Sequence, residues 1–145
     1  MYPYIRPLLF RLDPERAHDL TIRALRIAGA FSPLRWLLSR IFTAPNQTPV
    51  NVFGLTFPNA VGLAAGYDKD GLAWRGLACL GFGHIEVGTV TPRPQAGNPK
   101  PRIFRIPAEG AVINRMGFPS KGAEFVHQRL NVKTFKRENV ILGVN

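Results

Sequence analysis

Gly83-His84-Ile85-Glu86-Val87-Gly88-Thr89-Val90-Thr91-Pro92-Arg93-Pro94-Gln95-Ala96-Gly97-Asn98-Pro99-Lys100-Pro101-Arg102 runs from a β-branched segment straight into a loop crowded with Pro, Gly, Asn and Arg. A buried strand that ends in a long loop of backbone-shaping and anion-binding residues is where a parallel α/β protein usually keeps its chemistry. Working outward, residues 60–65 are short, apolar and small, like another buried parallel strand, and residues 71–80 between them read as a helix. Downstream, Ile103–Ile106 and residues 111–113 read as an inserted hairpin, residues 121–130 as a helix and residues 140–145 as a third parallel strand. Strand, helix, strand, helix, strand begins an α/β barrel or an open α/β sheet. Ile141-Leu142-Gly143-Val144-Asn145 reads as a strand cut off part way, so the expectation is an incomplete enzyme.

Two compositional zones meet near Pro45-Asn46-Gln47-Thr48-Pro49, giving a helical extension over 1–45 and the α/β part over 46–145. Asp13-Pro14-Glu15 supplies an N-cap, a proline at the first helical position and an acid in the first turn. That helix is expected to run to about Ala28 and stop at Gly29, with Ala17, Leu20, Ala24 and Ile27 as its apolar stripe. A second begins at Ser32-Pro33, with Leu34, Leu37, Leu38 and Ile41 on one side and Trp36 and Phe42 adding apolar surface. Such a basic, aromatic-bearing pair either packs on the main domain or lies on a membrane surface. The alternation of residues 50–57 around Gly54 predicts a small hairpin.

Length and composition fit one globular domain with a core: 145 residues, 46% hydrophobic and 19% charged. The single cysteine, Cys79, lies in an apolar helical run and reads as a buried small hydrophobe. Three scattered histidines match no ligand spacing, so no metal site is expected. No run approaches the ~20 apolar residues of a membrane span, and Pro7-Leu8-Leu9-Phe10 is broken at Arg11, unlike a signal peptide. The net charge of +10 allows nucleic acid, an anionic membrane or an anionic substrate with a phosphate-bearing cofactor. Fourteen of the nineteen basic residues are Arg, which favours fixed bidentate contacts. Without a basic block or a stacking motif, nucleic acid is the weakest of the three.

Candidate site residues recur where successive strands end. The first buried strand leads into Ala64-Ala65-Gly66-Tyr67-Asp68-Lys69-Asp70-Gly71, whose small residues admit close approach of a flat ligand and whose Lys69 places a cation at the strand's C-terminal end. An ordinary loop with a solvated lysine fits equally well. Gly88-Thr89 offers an amide and a hydroxyl at the corresponding depth, and the loop beyond carries Arg93, Gln95, Asn98, Lys100 and Arg102. In Ile113-Asn114-Arg115-Met116-Gly117-Phe118, Asn114 is either a turn former or a hydrogen-bond partner for a planar heterocycle, and Phe118 either core or its cover. Asn145 closes the third strand at the depth of Ala65 and Thr89.

Residues 64–71, 83–102 and 113–118 closely resemble the dihydroorotate dehydrogenases of pyrimidine biosynthesis. Leu12-Asp13-Pro14-Glu15-Arg16-Ala17-His18 and the helix after it resemble the N-terminal extension of the membrane-associated, quinone-using class. The resemblance implies the N-terminal part of an FMN-binding (β/α)8 TIM barrel preceded by a short helical extension. It implies that Ala65, Gly66, Tyr67, Asp68, Lys69, Thr89 and Asn145 line FMN. Lys69 with Asn114, Arg115, Met116, Gly117 and Phe118 would contact dihydroorotate or orotate, and His18 and Arg105 would face the quinone. It also favours the membrane reading of the two helices: peripheral association with the cytoplasmic face of the inner membrane. The implied reaction oxidises (S)-dihydroorotate to orotate with FMN and a quinone acceptor, using a serine base from a segment outside these 145 residues. The expectation is therefore a chain with little or no activity alone. The alternatives are a non-catalytic module that binds membrane surfaces and another flavin or phosphate-binding barrel enzyme.

Overall fold

The computed structural model describes residues 2–130 and 140–145. Three helices lead: α1 (Tyr2–Phe10), α2 (Pro14–Ala30) and α3 (Ser32–Phe42). A hairpin of β1 (Val50–Val52) and β2 (Leu55–Phe57) follows, turning through Phe53 and Gly54, both at positive φ. Next come β3 (Gly62–Leu63), α4 (Trp74–Ala78), β4 (His84–Val87), the antiparallel pair β5 (Ile103–Ile106) and β6 (Ala111–Asn114), α5 (Ala123–Arg129) and β7 (Ile141–Val144). Strands β3, β4 and β7 form one parallel sheet in that order, pairing Gly62 with His84 and His84 with Ile141. The α/β succession read from the sequence is present; among the described residues the sheet is open, not a closed barrel.

Alternation along β4 divides the sheet's faces. Ile85 and Val87 are fully buried. Ile85 joins Ile22, Ala73 and Leu77 in one cluster, while Val87 joins Trp74 and Val126 in a second. His84 and Glu86 therefore point to the opposite face, where the His84 ring occupies the space a side chain at Gly62 would need and meets Phe57 edge-on at 5.6 Å.

Asp13 caps α2 as its sequence predicts, its Oδ1 accepting from the amides of Glu15 and Arg16 at 3.0 Å each. The other end of α2 departs from expectation. Gly29 is a buried interior residue of the helix, which continues to Ala30. A Cβ at Gly29 would lie 2.6 Å from the Gly76 nitrogen, and one at Gly76 would run into the Leu25 carbonyl. The two glycines let α2 and α4 cross backbone to backbone. That contact selects the packed face: Ile22 is buried, with Leu25 packed beside it, while Leu20 and Ile27 of the expected stripe are more than half exposed. Helix α3 buries no residue. Helix α1 had no counterpart in the sequence reading, because a proline inside an apolar nonapeptide gives no helical period.

Helix α4 is shorter than the expected 71–80, because the Asp68 carboxylate takes the Leu72 and Ala73 amides at 2.7 Å each and holds that backbone as a loop. Strand β3 is shorter too, since the Ala65 amide leaves the ladder for Glu86 Oε2 at 3.1 Å. Cys79 is buried as expected, its thiol donating to the Arg75 carbonyl. Gly76→Ala is expected to destabilise the protein by about 1–3 kcal/mol, the ordinary cost of overpacking, measured as a lowered urea midpoint; an unchanged midpoint would contradict the close crossing.

Candidate functional site

A cavity of about 490 Å³ opens beyond the C-terminal ends of β3 and β4. Ala65, Gly66, Lys69, Thr89 and the run from Asn114 to Phe118 all line it. Those residues come from three separate segments, so the fold brings most of the expected site into one concavity. Gly66 has φ +106°, and a Cβ built there would project into open space. The floor is therefore bare backbone, suited to a flat ring.

Hydrogen bonds fix the loop under that floor. Ala65 is held by Glu86, the Gly66 amide donates to the Gly88 carbonyl at 2.7 Å, and the Gly88 amide to the Asp68 carbonyl at 3.3 Å. Lys69 Nζ donates to the Gly66 carbonyl at 2.6 Å. Burial lowers the Lys69 pKa from 10.5, with Glu15 and Asp70 opposing that shift. The Thr89 hydroxyl donates to Asn145 Oδ1 at 2.6 Å, and the Asn145 amide donates to the Val87 carbonyl at 2.9 Å, which places Asn145 at the rim beside Thr89.

Three expected flavin residues are not among those lining this cavity: Tyr67, Asp68 and Asn145, the last standing beside Thr89. Tyr67 turns toward α2, and Asp68 is buried as the cap over Leu72 and Ala73. Burial pushes the Asp68 pKa above its usual 3.8, against the pull of the Ala73 and Leu72 amides. Asn114 serves as a turn former, its Oδ1 accepting from the Met116 amide at 3.0 Å, and it also lines the cavity. Phe118 stands over the opening, 65% exposed and at φ +52°. That strained backbone persists because Gln95 Nε2 donates to both the Gly117 and Phe118 carbonyls.

Gln95, Asn98, Lys100 and Arg102 of the 93–102 loop make contacts within the protein. Gln95 grips the 117–118 turn, and Asn98 Nδ2 donates to the Arg115 carbonyl at 2.7 Å. Arg102 is buried, its Nε and one terminal nitrogen on the two Glu15 oxygens at 3.1 and 2.6 Å, its other terminal nitrogen on the Ala96 and Asn98 carbonyls. Lys100 adds a contact to Glu15 at 3.0 Å. The anion-binding role read for Lys100 and Arg102 is thus replaced by an internal one.

A second cavity of about 480 Å³ lies between α2 and this loop. Lys69 and Met116 line both cavities. His18 lines the second, donating from Nε2 to the Tyr67 carbonyl at 2.7 Å. Arg105 sits apart: it donates to the Leu9 and Leu12 carbonyls and stacks over Phe10 at 4.6 Å, lining a different recess of about 370 Å³. Sequence reasoning passed over Glu86, Glu15 as a partner of Arg102, and Thr21; each acts through a contact far away in the chain.

Parallel strands with a glycine floor, a lysine and a hydroxyl at their C-terminal ends define the class: an α/β-barrel-type protein with a ligand cavity at the strand ends. Residues 48–145 match the family described as dihydroorotate dehydrogenase. The chain is 52% identical over 144 residues to a dihydroorotate dehydrogenase (quinone) of Polynucleobacter asymbioticus, covering 99% of this chain and 41% of that protein. It is 58% identical over 130 residues to the enzyme of that name from Acidithiobacillus ferrooxidans, covering 89% of this chain and 36% of that one. The crystal structure of DHODH from Eimeria tenella in complex with ferulenol matches with a TM-score of 0.71 and 41% identity, over 92% of this chain and 35% of that chain. The chain belongs to the dihydroorotate dehydrogenase family, and its fold is a part of that family's barrel. It spans about two fifths of the length of the curated relatives it matches.

The Glu15–Arg102 contact gives a pH signature. Hydrogen bonding to Arg102 holds the Glu15 pKa below its usual 4.5, against the opposing effect of burial. A carboxylate with a depressed native pKa contributes stability that is full above its unfolded value and is lost as pH falls through the native one. Asp68 has the opposite sign, but it is common to both proteins when the wild type is compared with Glu15→Gln. The variant is expected to lose less stability than the wild type between about pH 4.5 and acid unfolding, read from urea midpoints across pH; parallel curves would refute the pairing.

Proposed function

We propose that this chain supplies the acceptor-side extension and the first strands of an FMN-dependent, quinone-reducing dihydroorotate dehydrogenase. The reaction is oxidation of (S)-dihydroorotate to orotate in pyrimidine biosynthesis. One observation carries the reading: two cavities, one at the strand ends and one under α2, meet at Lys69. A reaction with separate donor and acceptor halves is served by such a pair of chambers, one for each partner.

The residues of the first cavity suit FMN. The bare Gly66 floor accepts a planar ring, and Thr89, Asn145 and Lys69 offer hydrogen-bonding groups at its edge. Bound FMN would supply the two-electron acceptor for the substrate hydride. Lys69 contributes a fixed cation beside the substrate carboxylate, Asn114 its amide donor, and Phe118 a cover that excludes water. No carboxylate, His, Ser or Cys is among the residues lining this cavity. By the family resemblance, the base that takes the C5 proton is assigned to a serine of a segment outside these 145 residues, and the chain alone is expected to show little or no turnover. Purified 145-residue chain assayed with dihydroorotate, FMN and a soluble quinone tests this, and robust turnover would contradict it. In the full native enzyme, Lys69→Ala is expected to lower kcat/KM by about 10²–10³-fold; retention of full activity would remove Lys69 from the mechanism.

A membrane role has its own observation. Tyr4, Leu8, Phe31, Trp36, Leu37, Ile41 and Phe42 leave α1, α3 and their junctions with large exposed apolar side chains beside Arg6, Arg35 and Arg40. No described helix is long and apolar enough to cross a membrane. We assign these helices to peripheral association with the cytoplasmic face of the inner membrane, where a quinone is met. Trp36→Glu with Ile41→Glu is expected to reduce co-sedimentation with anionic liposomes at least several-fold without lowering thermal stability; undiminished binding would refute the assignment.

A further inference from the structure

The second cavity carries an interaction between hydroxyl groups that its proposed role does not require. Helix α2 presents His18 and Thr21 one turn apart toward the loop after β3. The Thr21 hydroxyl donates to the His18 carbonyl at 2.8 Å. Its proton is thereby committed, so in its 2.7 Å contact with Tyr67 it accepts from the phenol. His18 Nε2 in turn donates to the Tyr67 carbonyl at 2.7 Å, and the two rings meet edge to face at 5.1 Å and 76°. One turn of α2 thus grips the backbone, ring and hydroxyl of a single residue, and His18 and Tyr67 both form the wall of the second cavity.

We propose that Thr21 and Tyr67 form a positioning pair that sets the shape of the electron-acceptor cavity by locking the Tyr67 ring against His18; this rests on the functional reading above. The rest of the loop is held independently. Ala65 is fixed by Glu86, Gly66 by Gly88, and Asp68 by the amides of Leu72 and Ala73. Loss of the Thr21 hydroxyl therefore releases the Tyr67 hydroxyl, leaving its ring held only by packing on His18 and the core, and leaves Lys69 in place on the Gly66 carbonyl. The pair acts on the acceptor half-reaction and not on the donor half.

The test is stopped-flow measurement on the full native enzyme. It follows anaerobic reduction of the bound flavin by dihydroorotate, then reoxidation by a short-chain soluble ubiquinone. Thr21→Val keeps the shape and removes the hydroxyl. It is expected to slow reoxidation at subsaturating quinone about five- to tenfold, the worth of one hydrogen bond, with reduction changed less than twofold. Tyr67→Phe should reproduce the acceptor defect, and Thr21→Ser should restore the wild-type rate. Unchanged reoxidation in Thr21→Val and Tyr67→Phe would overturn the proposal. So would a Thr21→Ser as slow as Thr21→Val, which would assign the effect to packing. Equal slowing of both half-reactions would also overturn it, as a general loosening of the loop. If dihydroorotate fails to reduce the flavin of the unaltered enzyme, the functional reading itself falls and takes the proposal with it.

Discussion

The buried contact between Glu15 and Arg102 is the constraint on which the arrangement rests. It joins the first turn of α2 to the end of a loop 87 residues later, through two parallel hydrogen bonds from guanidinium to carboxylate. Such a pair is costly to desolvate, and it holds only where the remaining donors are also satisfied. Here they are, by the Ala96 and Asn98 carbonyls. The same arginine therefore shapes its own loop and binds it to the extension. Removing Glu15 would leave Arg102 an uncompensated buried charge, a loss of about 3–5 kcal/mol, so the extension is part of the folded unit.

From that joint the two cavities take their walls. The loop fixed by Arg102 reaches across to the 114–120 turn, where Gln95 and Ser120 exchange backbone hydrogen bonds and Asn98 donates from its backbone amide to the Met116 carbonyl and from Nδ2 to the Arg115 carbonyl. That turn carries Met116 to the partition between the cavities and Phe118 to the rim of the first. On the other side, the glycine crossing of α2 and α4 brings His18 and Thr21 within reach of Tyr67. The placement of Lys69 between the two cavities thus follows from one ion pair and one close helix crossing.

Much of this was legible in the sequence where the signal was local. Asp13-Pro14 announced its cap, the alternation in residues 50–57 announced its hairpin, and the small-residue run from Ala64 to Gly66 announced a close-approach floor. Convergence of Lys69 and Thr89 was legible because parallel strands deliver their ends to one side, whereas Asn114 reaches the cavity from the antiparallel β5–β6 pair. What failed was whatever needed a distant partner. Gly29 looks like a helix stop until Gly76 is set against it, and Lys100 and Arg102 look like anion-binding groups until Glu15 is brought beneath them. The face of α2 was misread for the same reason: of the expected stripe Ala17, Leu20, Ala24 and Ile27 only Ala17 is buried, because the face bearing Gly29 packs closer.

The strong positive charge also finds an internal explanation. Arg6 and Arg105 both stack on Phe10, at 4.7 and 4.6 Å, so one ring from α1 is shared by a cation of its own helix and one from β5. Arg105 additionally takes the carbonyls of Leu9 and Leu12, which lie at the C-terminal end of α1 where the helix dipole favours a cation. Arg115 lies over Phe104, Arg129 over Phe125 and Arg40 over Trp36. Guanidinium groups tolerate this because they are weakly hydrated and planar, and a lysine would do it less well. Arginine thus serves here to place cations on aromatic faces and carbonyl ends, and through Arg105 it ties the extension to β5.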